Sequence, residues 1–313
     1  LAHATEPRVL VDVGTNAEIL LSDGERLFAA SSPTGPALEG AQISCGVRAT
    51  AGAIERVRID PDTLEPRVQV IGCELWSDDP GFAEATAHLD IAGVCGSGIV
   101  EIIGELYLAG ILAPDGTIRD RRDRTPRVVA ERRTFAYVLR TAEEDPRGRE
   151  LRFTQADVRA VQLAKAALRA GIDLLRERAG IDQLASVGLA GAFGAHLDPL
   201  YAVLLGLVPD GSPDTVAPVG NAAGAGAVAA LLSGRRRSEI EAAVAEVTRV
   251  ETATEPRFQE LFVNAMAIPH ADPTPVLATR VDLPEPEPHP AEAGPGRRRR
   301  RSRRVRPEGE QRG

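Results

Sequence analysis

The stretch VLVDVGTNAEILLSDGERLFAAS, residues 9–31, decides how the rest of the chain is read. Residues 9–13 form an apolar run of the kind found in strands buried on both faces, interrupted by one carboxylate, Asp12. Residues 17–21 read as a second strand, Asp23-Gly24 as a hairpin turn, and residues 26–30 as the returning third strand. Asp12 therefore falls near the end of a central strand, beside the tight turn Gly14-Thr15-Asn16. Two readings fit such a turn. Its backbone N–H groups and small polar side chains can nest phosphate oxygens while the carboxylate organises a hydrated cation. Alternatively, Asp and Asn make only the local bonds of Asx turns.

Outward from this stretch, Gly and Pro punctuate the chain until a strand expected at residues 53–59, and residues 68–71 resume as strand after Pro66. IAGVCGSGIVEIIGELYLAGIL (91–112) predicts a Gly-rich turn feeding a helix. Ser97 is its expected N-cap, Ile99, Ile102, Ile103 and Leu106 its apolar face, and Gly110 its stop. Residues 113–150 are highly charged, carry one β-like piece at 135–139, and read as an insertion. TQADVRAVQLAKAALRAGIDLLRERAG (154–180) is the clearest helix. Thr154 with Asp157 matches a capping box, Val158, Val161, Leu168, Ile172 and Leu175 mark one face, and Gly180 ends it. Lys165, the only lysine, reads as a solvated or snorkelling side chain on that helix.

ASVGLAGAFGAHLDPLYAVLLGLVPD (185–210) reads as a short strand, a glycine-rich break at Gly191–Gly194, then a helix. VAPVGNAAGAGAVAALLS (216–233) repeats the pattern, with a helix so poor in bulk that something is expected to pack close against it. Three glycine-rich junctions in one α/β domain point to a shared crevice at the strand ends, where only small residues let backbone approach a nucleotide. The competing reading is that Gly and Ala serve turns and close helix packing.

Bulk composition narrows the function classes. Hydrophobic content of 43% and charged content of 26% are ordinary for a soluble globular chain, and 4% aromatic residues leave no rich stacking platform for bases. No apolar run reaches membrane-spanning length, and the opening LAHATEPRVL lacks the regions of a signal peptide. Cys45, Cys73 and Cys95 are dispersed, without the spacing of a metal or iron–sulfur site, and fit a reducing cytoplasm. Residues 297–313 hold nine Arg and two Glu, so the −8 chain divides into an acidic body of −15 and a basic tail of +7. From residue 273 the Pro-, Glu- and Arg-rich composition is that of a disordered tail, whose physical default ligand, if any, is a polyanion. Nothing points to specific nucleic-acid recognition.

VDVGTNAEILL, GPALEGAQISCGVRATAGAI, GVCGSGIVEIIGELYLAGIL, LAGAFGAHLD, GNAAGAGAVAALLS and FQELFVNAMAIPH together resemble the C-terminal domain of the reductive activators of corrinoid proteins. The resemblance spans residues 9–270. It implies an α/β fold, a ribonuclease-H-like lobe of the superfamily of acetate and sugar kinases, heat-shock chaperones and actin. It also implies an ATP-driven electron transfer from a [2Fe-2S] cluster to corrinoid cobalt, cobalt(II) becoming cobalt(I). The implied partner is a corrinoid protein or corrinoid-dependent methyltransferase in the cytoplasm, and a homodimer is compatible with it. By the same resemblance, Asp12 would hold a water on Mg²⁺, and Gly14, Thr15 and Asn16 would meet phosphate oxygens. Gly191, Ala192, Phe193 and Gly194 look like the adenosine loop. Gly220, Asn221 and Gly224 look like the element joining two lobes, and Ser97 like a residue of the nucleotide rim. Whole family members carry a ferredoxin domain and a first phosphate lobe. Residues 1–8 are therefore expected to be a linker remnant, and the isolated chain inactive. Two alternatives remain: a small-molecule kinase of the same superfamily, for which no carboxylate base is identifiable in the sequence, and a non-catalytic, nucleotide-gated interaction domain.

Overall fold

Alternating burial along three short strands builds the sheet on which the site rests. The computed structural model describes residues 1, 4–194, 196–209, 213–270 and 281–284. β1 (Arg8–Val13), β2 (Ala17–Ser22) and β3 (Leu27–Ser32) form an antiparallel meander in which Val11 faces Ile19 and Leu20 faces Ala29. Val9, Val11 and Val13 are buried, whereas Leu10 and Asp12 are half-buried. The expected burial of β1 on both faces is thus an alternation, and that half-open face lets Asp12 keep access to solvent. The turn after β2 spans residues 23–26, with Asp23 accepting the backbone N–H groups of Glu25 (2.9 Å) and Arg26 (2.6 Å).

β4 (Ile54–Ile59) and β5 (Pro66–Val70) pair as a separate ribbon, followed by the single turn α1 (Phe82–Ala85). α2 (Gly96–Leu108) packs along β4. β6 (Val128–Glu131), β7 (Thr134–Arg140) and β8 (Leu151–Thr154) make a three-stranded sheet feeding α3 (Gln155–Ala179). The charged region 113–150 therefore contributes two strands. Tyr137 is fully buried, its hydroxyl donating to the Leu64 carbonyl at 2.9 Å. β9 (Ser186–Ala190) passes through α4 (Gly191–Gly194) to α5 (Pro199–Leu204). β10 (Val216–Gly220) leads to α6 (Ala222–Leu232) and α7 (Gly234–Glu246), and β11 (Thr248–Arg249) precedes α8 (Pro256–Asn264).

The central sheet runs β10-β9-β1-β2-β3-β11, with β9 parallel to β1 and β10 parallel to β9. The carboxyl ends of these three strands consequently lie side by side: Asp12 is level with Ala190, and Ala190 with Gly220. α3 covers β2 and β3 and carries the predicted capping box, Thr154 and Asp157 bonding reciprocally, with Gly180 as its C-cap. Val158, Val161, Leu168, Ile172 and Leu175 are all buried, as the helical period predicts.

Three expectations are corrected. Ser97 is not an N-cap: the extended Cys95 occupies that position, its carbonyl accepting the N–H of Ile99 at 2.9 Å, and Ser97 is the second helical residue. Lys165 is neither solvated nor snorkelling but 0% exposed, donating to the carbonyls of Ala265 and Ala267 at 2.6 Å each. Those two acceptors come from the chain following α8, a partnership invisible from the helical period alone. α6 has no buried residue among the described residues, and Leu231 and Leu232 are 76% and 79% exposed: α7 packs against it, but its apolar face stays open. Leu1–Leu283 form one compact unit, and Pro284–Gly313 a second, of which only Pro284 is described. The reading of residues 271–313 as a disordered tail falls outside the described residues except at 281–284. Among the described residues no helix is long and apolar enough to cross a membrane.

Candidate functional site

Asp12 is the penultimate residue of β1, and the loop after it is held from below. Thr34 Oγ1 donates to the carbonyls of Gly14 (2.8 Å) and Thr15 (3.0 Å), and Gly35 N–H donates to the carbonyl of Thr15 at 2.8 Å. Gly14 N–H donates back to Asn16 O at 3.0 Å. With its carbonyls engaged by the chain beneath, the loop exposes the Thr15 and Asn16 side chains. Thr15 Oγ1 donates to Glu39 Oε1 at 3.0 Å. Glu39 ends the one-turn 3₁₀ helix Pro36–Glu39, which sits against α2 and α3. Behind Asp12 lies Gly191, whose φ is +86°.

These elements open on a cleft of about 970 Å³ whose lining includes Asp12, Gly14, Glu39, Arg48, Ser97 and Phe193, together with Glu55 and His196. A volume of this order accommodates a nucleotide-sized ligand. Phe193 enters because α2 begins on a glycine: a Cβ at Gly96 would lie 2.6 Å from the Phe193 ring. Of the residues singled out from sequence, Asp12, Gly14, Ser97 and Phe193 line this cleft. Thr15 joins it through Glu39, and Asn16 is exposed at the end of the same loop. Gly191 backs Asp12, and Ala192 lies within α4. Gly194 packs toward the Leu189 backbone, where an added Cβ would lie 3.2 Å from the carbonyl carbon, which ties it to the turn after β9. Gly220, Asn221 and Gly224 stand apart from the lining residues. Asn221 is the N-cap of α6, accepting the Gly224 N–H at 2.7 Å, and a Cβ at Gly224 would collide with its amide at 2.5 Å.

Sequence reasoning missed Glu39, Arg48, Glu55 and His196 in the cleft. Glu39 and Arg48 lie in GPALEGAQISCGVRATAGAI, where closely spaced glycines marked backbone crowding that could have prompted a search for neighbouring side chains. Gly46 abuts Gly40 so closely that a Cβ would fall 2.0 Å from the Gly40 carbonyl oxygen.

A buried polar network fixes α2 and hence the cleft wall. Glu101 accepts the Val57 N–H (2.9 Å), Arg56 (2.9 Å) and Arg58 (2.5 Å), while Glu105 accepts the Ile59 N–H at 2.7 Å and the Tyr201 hydroxyl. Burial outweighs these partners and raises the Glu101 pKa above the usual carboxylate value. Burial, with Asp157 nearby, pushes the Cys45 thiol up to about 12, so it is a poor nucleophile. A second concavity, lined by Phe82, Leu139, Asp90, Arg140, Asp145 and Arg149, has its charges paired with one another, Arg149 bridging Asp90 and Asp145. Among the described residues no group of three His, Cys, Asp or Glu side chains could hold a metal ion.

The fold and the cleft at its parallel strand ends define an α/β domain of the ASKHA class. The chain belongs to the family described as the C-terminal domain of RACo, the ASKHA domain, whose model matches residues 6–279. It is 38% identical over 264 residues to the corrinoid activation enzyme RamQ of Eubacterium limosum, covering 82% of this chain and 42% of that protein. It is 28% identical over 213 residues to the [Co(II) methylated amine-specific corrinoid protein] reductase of Methanosarcina barkeri, covering 65% of this chain and 35% of that one. A solved structure of a reductive activator for corrinoid, iron-sulfur protein superposes with a TM-score of 0.74 at 31% identity, over 87% of this chain and 41% of its own. The chain thus spans about two fifths of the length of RamQ and of the solved activator.

Proposed function

We propose that this chain is the ATP-binding and ATP-hydrolysing domain of a reductive activator that returns a corrinoid protein from cobalt(II) to cobalt(I). The observation that carries the reading is the convergence of Asp12, Gly14 and Phe193 on one cleft at the carboxyl ends of parallel strands. ATP is the substrate, and water converts it to ADP and phosphate. A [2Fe-2S] cluster held in another domain would supply the single electron that the cobalt takes up. Phe193 would flank the adenosine, and the Gly14–Thr15–Asn16 loop would take phosphate oxygens.

The donors around the loop suit Mg²⁺. Asp12, Thr15 and Glu39 present oxygen only, the ligand type this hard cation takes. The Thr15 hydroxyl points its proton at Glu39, which leaves its lone pairs available to a cation. Asp12 would hold the ion through water, and the ion would neutralise phosphate charge. This chain's own contribution would be to hold Thr15 on Glu39 and to leave room for Asp12 at Gly191, a preorganised setting for the phosphates.

Asp12→Asn tests the reading in the protein joined to its natural partner domains. ATP turnover should fall on the order of 10²-fold with the fold intact. Turnover within about twofold of wild type would return Asp12 to turn formation. Because Glu39 puts a second carboxylate in the cleft, phosphoryl transfer to a metabolite is the reading to compare. Free phosphate as the product supports the activator, and a phosphorylated metabolite supports a kinase.

A further inference from the structure

We propose that Arg48 is the side chain of this domain that meets the phosphate chain of the bound nucleotide, an assignment that rests on the nucleotide reading of the cleft. Arg48 lines the cleft together with Asp12, Gly14 and Glu39. Its guanidinium has no hydrogen-bond or ion-pair partner among the described residues, although three cleft carboxylates, Asp12, Glu39 and Glu55, surround the same space. The arginines beside the cleft wall and around the second concavity, by contrast, are engaged: Arg56 and Arg58 hold Glu101, Arg127 holds Glu65 and Glu144, and Arg149 holds Asp90 and Asp145.

The position of Arg48 is set by its backbone. Val47 N–H donates to the Val94 carbonyl at 2.9 Å, and Gly46 bridges Val94 in parallel. Gly46 in turn abuts Gly40, the residue after Glu39. The wall that carries Glu39 and the wall that carries Arg48 are therefore one packed unit. On it the backbone at Arg48 is anchored, while its side chain is exposed and its guanidinium unpaired among the described residues.

Charge makes the role specific. A triphosphate brings about four negative charges to a cleft that already contains three carboxylates, and residues 1–296 carry a net charge of −15. The sole lysine is buried in α3, away from the cleft lining. Among the described lining residues Arg48 is the one permanent cation, and its planar fork suits bidentate bonding to phosphate oxygens.

The test is calorimetric titration, in the protein joined to its natural partner domains, with Mg-ATP and, separately, with adenosine, using wild type, Arg48→Gln and Arg48→Lys. Arg48→Gln should weaken Mg-ATP binding about tenfold or more, leave adenosine binding and the melting temperature unchanged, and be partly rescued by Arg48→Lys. Equal Mg-ATP affinity in wild type and Arg48→Gln overturns the Arg48 assignment while the nucleotide site stands. Equal weakening of Mg-ATP and adenosine also overturns it, because the residue would then shape the cleft rather than meet phosphate. A wild-type protein, joined to its partner domains, that binds neither ligand overturns the nucleotide reading and the Arg48 role with it.

Discussion

Gly191 lies directly behind Asp12: a Cβ at position 191 would fall 2.3 Å from Asp12 Oδ1, and the backbone there has a φ of +86°. The glycine that follows β9 thus does two things. It turns the chain in the left-handed region, and it leaves room for the carboxylate at the end of β1. Neither task requires contact with a nucleotide.

Gly191→Ala should therefore destabilise the free protein, by roughly 1–3 kcal/mol for the strained backbone and displaced carboxylate together. In an Asp12→Ala background the steric part is removed, so the second penalty should be smaller than the first. Urea unfolding of the two single variants and the double variant measures this. Penalties that add to within about 0.5 kcal/mol would mean that Asp12 swings aside freely and that only the backbone angle matters.

Asn221 gives a sharper distinction between capping and binding. Its side chain accepts the Gly224 N–H at the start of α6, so Asn221→Ala should cost about 1 kcal/mol. Asn221→Asp, which keeps the acceptor, should restore most of that. If nucleotide affinity falls by more than about tenfold in both variants while stability recovers only in Asp, the residue contacts ligand as well as capping the helix.

Glu101 is the pin between α2 and β4. Glu101→Ala strands Arg58 and the Val57 N–H in a buried site, and the expected loss is about 3 kcal/mol, the lower end for a broken buried pair because Arg58 retains partial solvent access. Tyr201→Phe removes only a hydroxyl donor to Glu105 and should cost about 1 kcal/mol. A denaturation midpoint for Glu101→Ala no lower than that for Tyr201→Phe would show that the network is solvated and does not hold the helix.

The parts of this molecule that were legible in the sequence are those governed by local periodicity. The β1–β3 meander, the capping box at Thr154 and Asp157 and the stop at Gly180 all follow from neighbours within a few residues. Asp12, Gly14 and Phe193 stand out because a carboxylate or aromatic beside glycines breaks such a pattern. Residues whose role comes from distant chain were not legible. Lys165 reads as a surface lysine because its carbonyl partners lie about a hundred residues later. Glu39 and Arg48 are not singled out by sequence, because only the Gly40–Gly46 contact folds them into one wall. Ser97 loses the cap to Cys95 by two positions, a boundary that side-chain preference alone does not set.

Lys165 yields a pH prediction whose sign can be worked out. An amine in the unfolded chain titrates near ~10.4. In the folded protein burial, and then the charge of Arg169, bring Lys165 down to about 7. Between those values the unfolded chain binds a proton that the folded chain lacks, so this group makes stability rise with pH. Below about 7 both states are protonated, and its contribution is a constant penalty. Cys45 acts in the opposite sense: its folded pKa is pushed up to about 12, so its contribution is lost as pH rises above the ordinary thiol value of 9.0. The clean interval is therefore about pH 7 to about pH 8.5. Wild type should gain urea resistance across that interval relative to Lys165→Met, which keeps the chain length but has no titrating amine. The methionine variant should also lose the two bonds to Ala265 and Ala267, loosening the segment after α8. Parallel pH profiles for the two proteins would mean that the amine stays charged in the fold and that the carbonyl pair compensates fully for its burial.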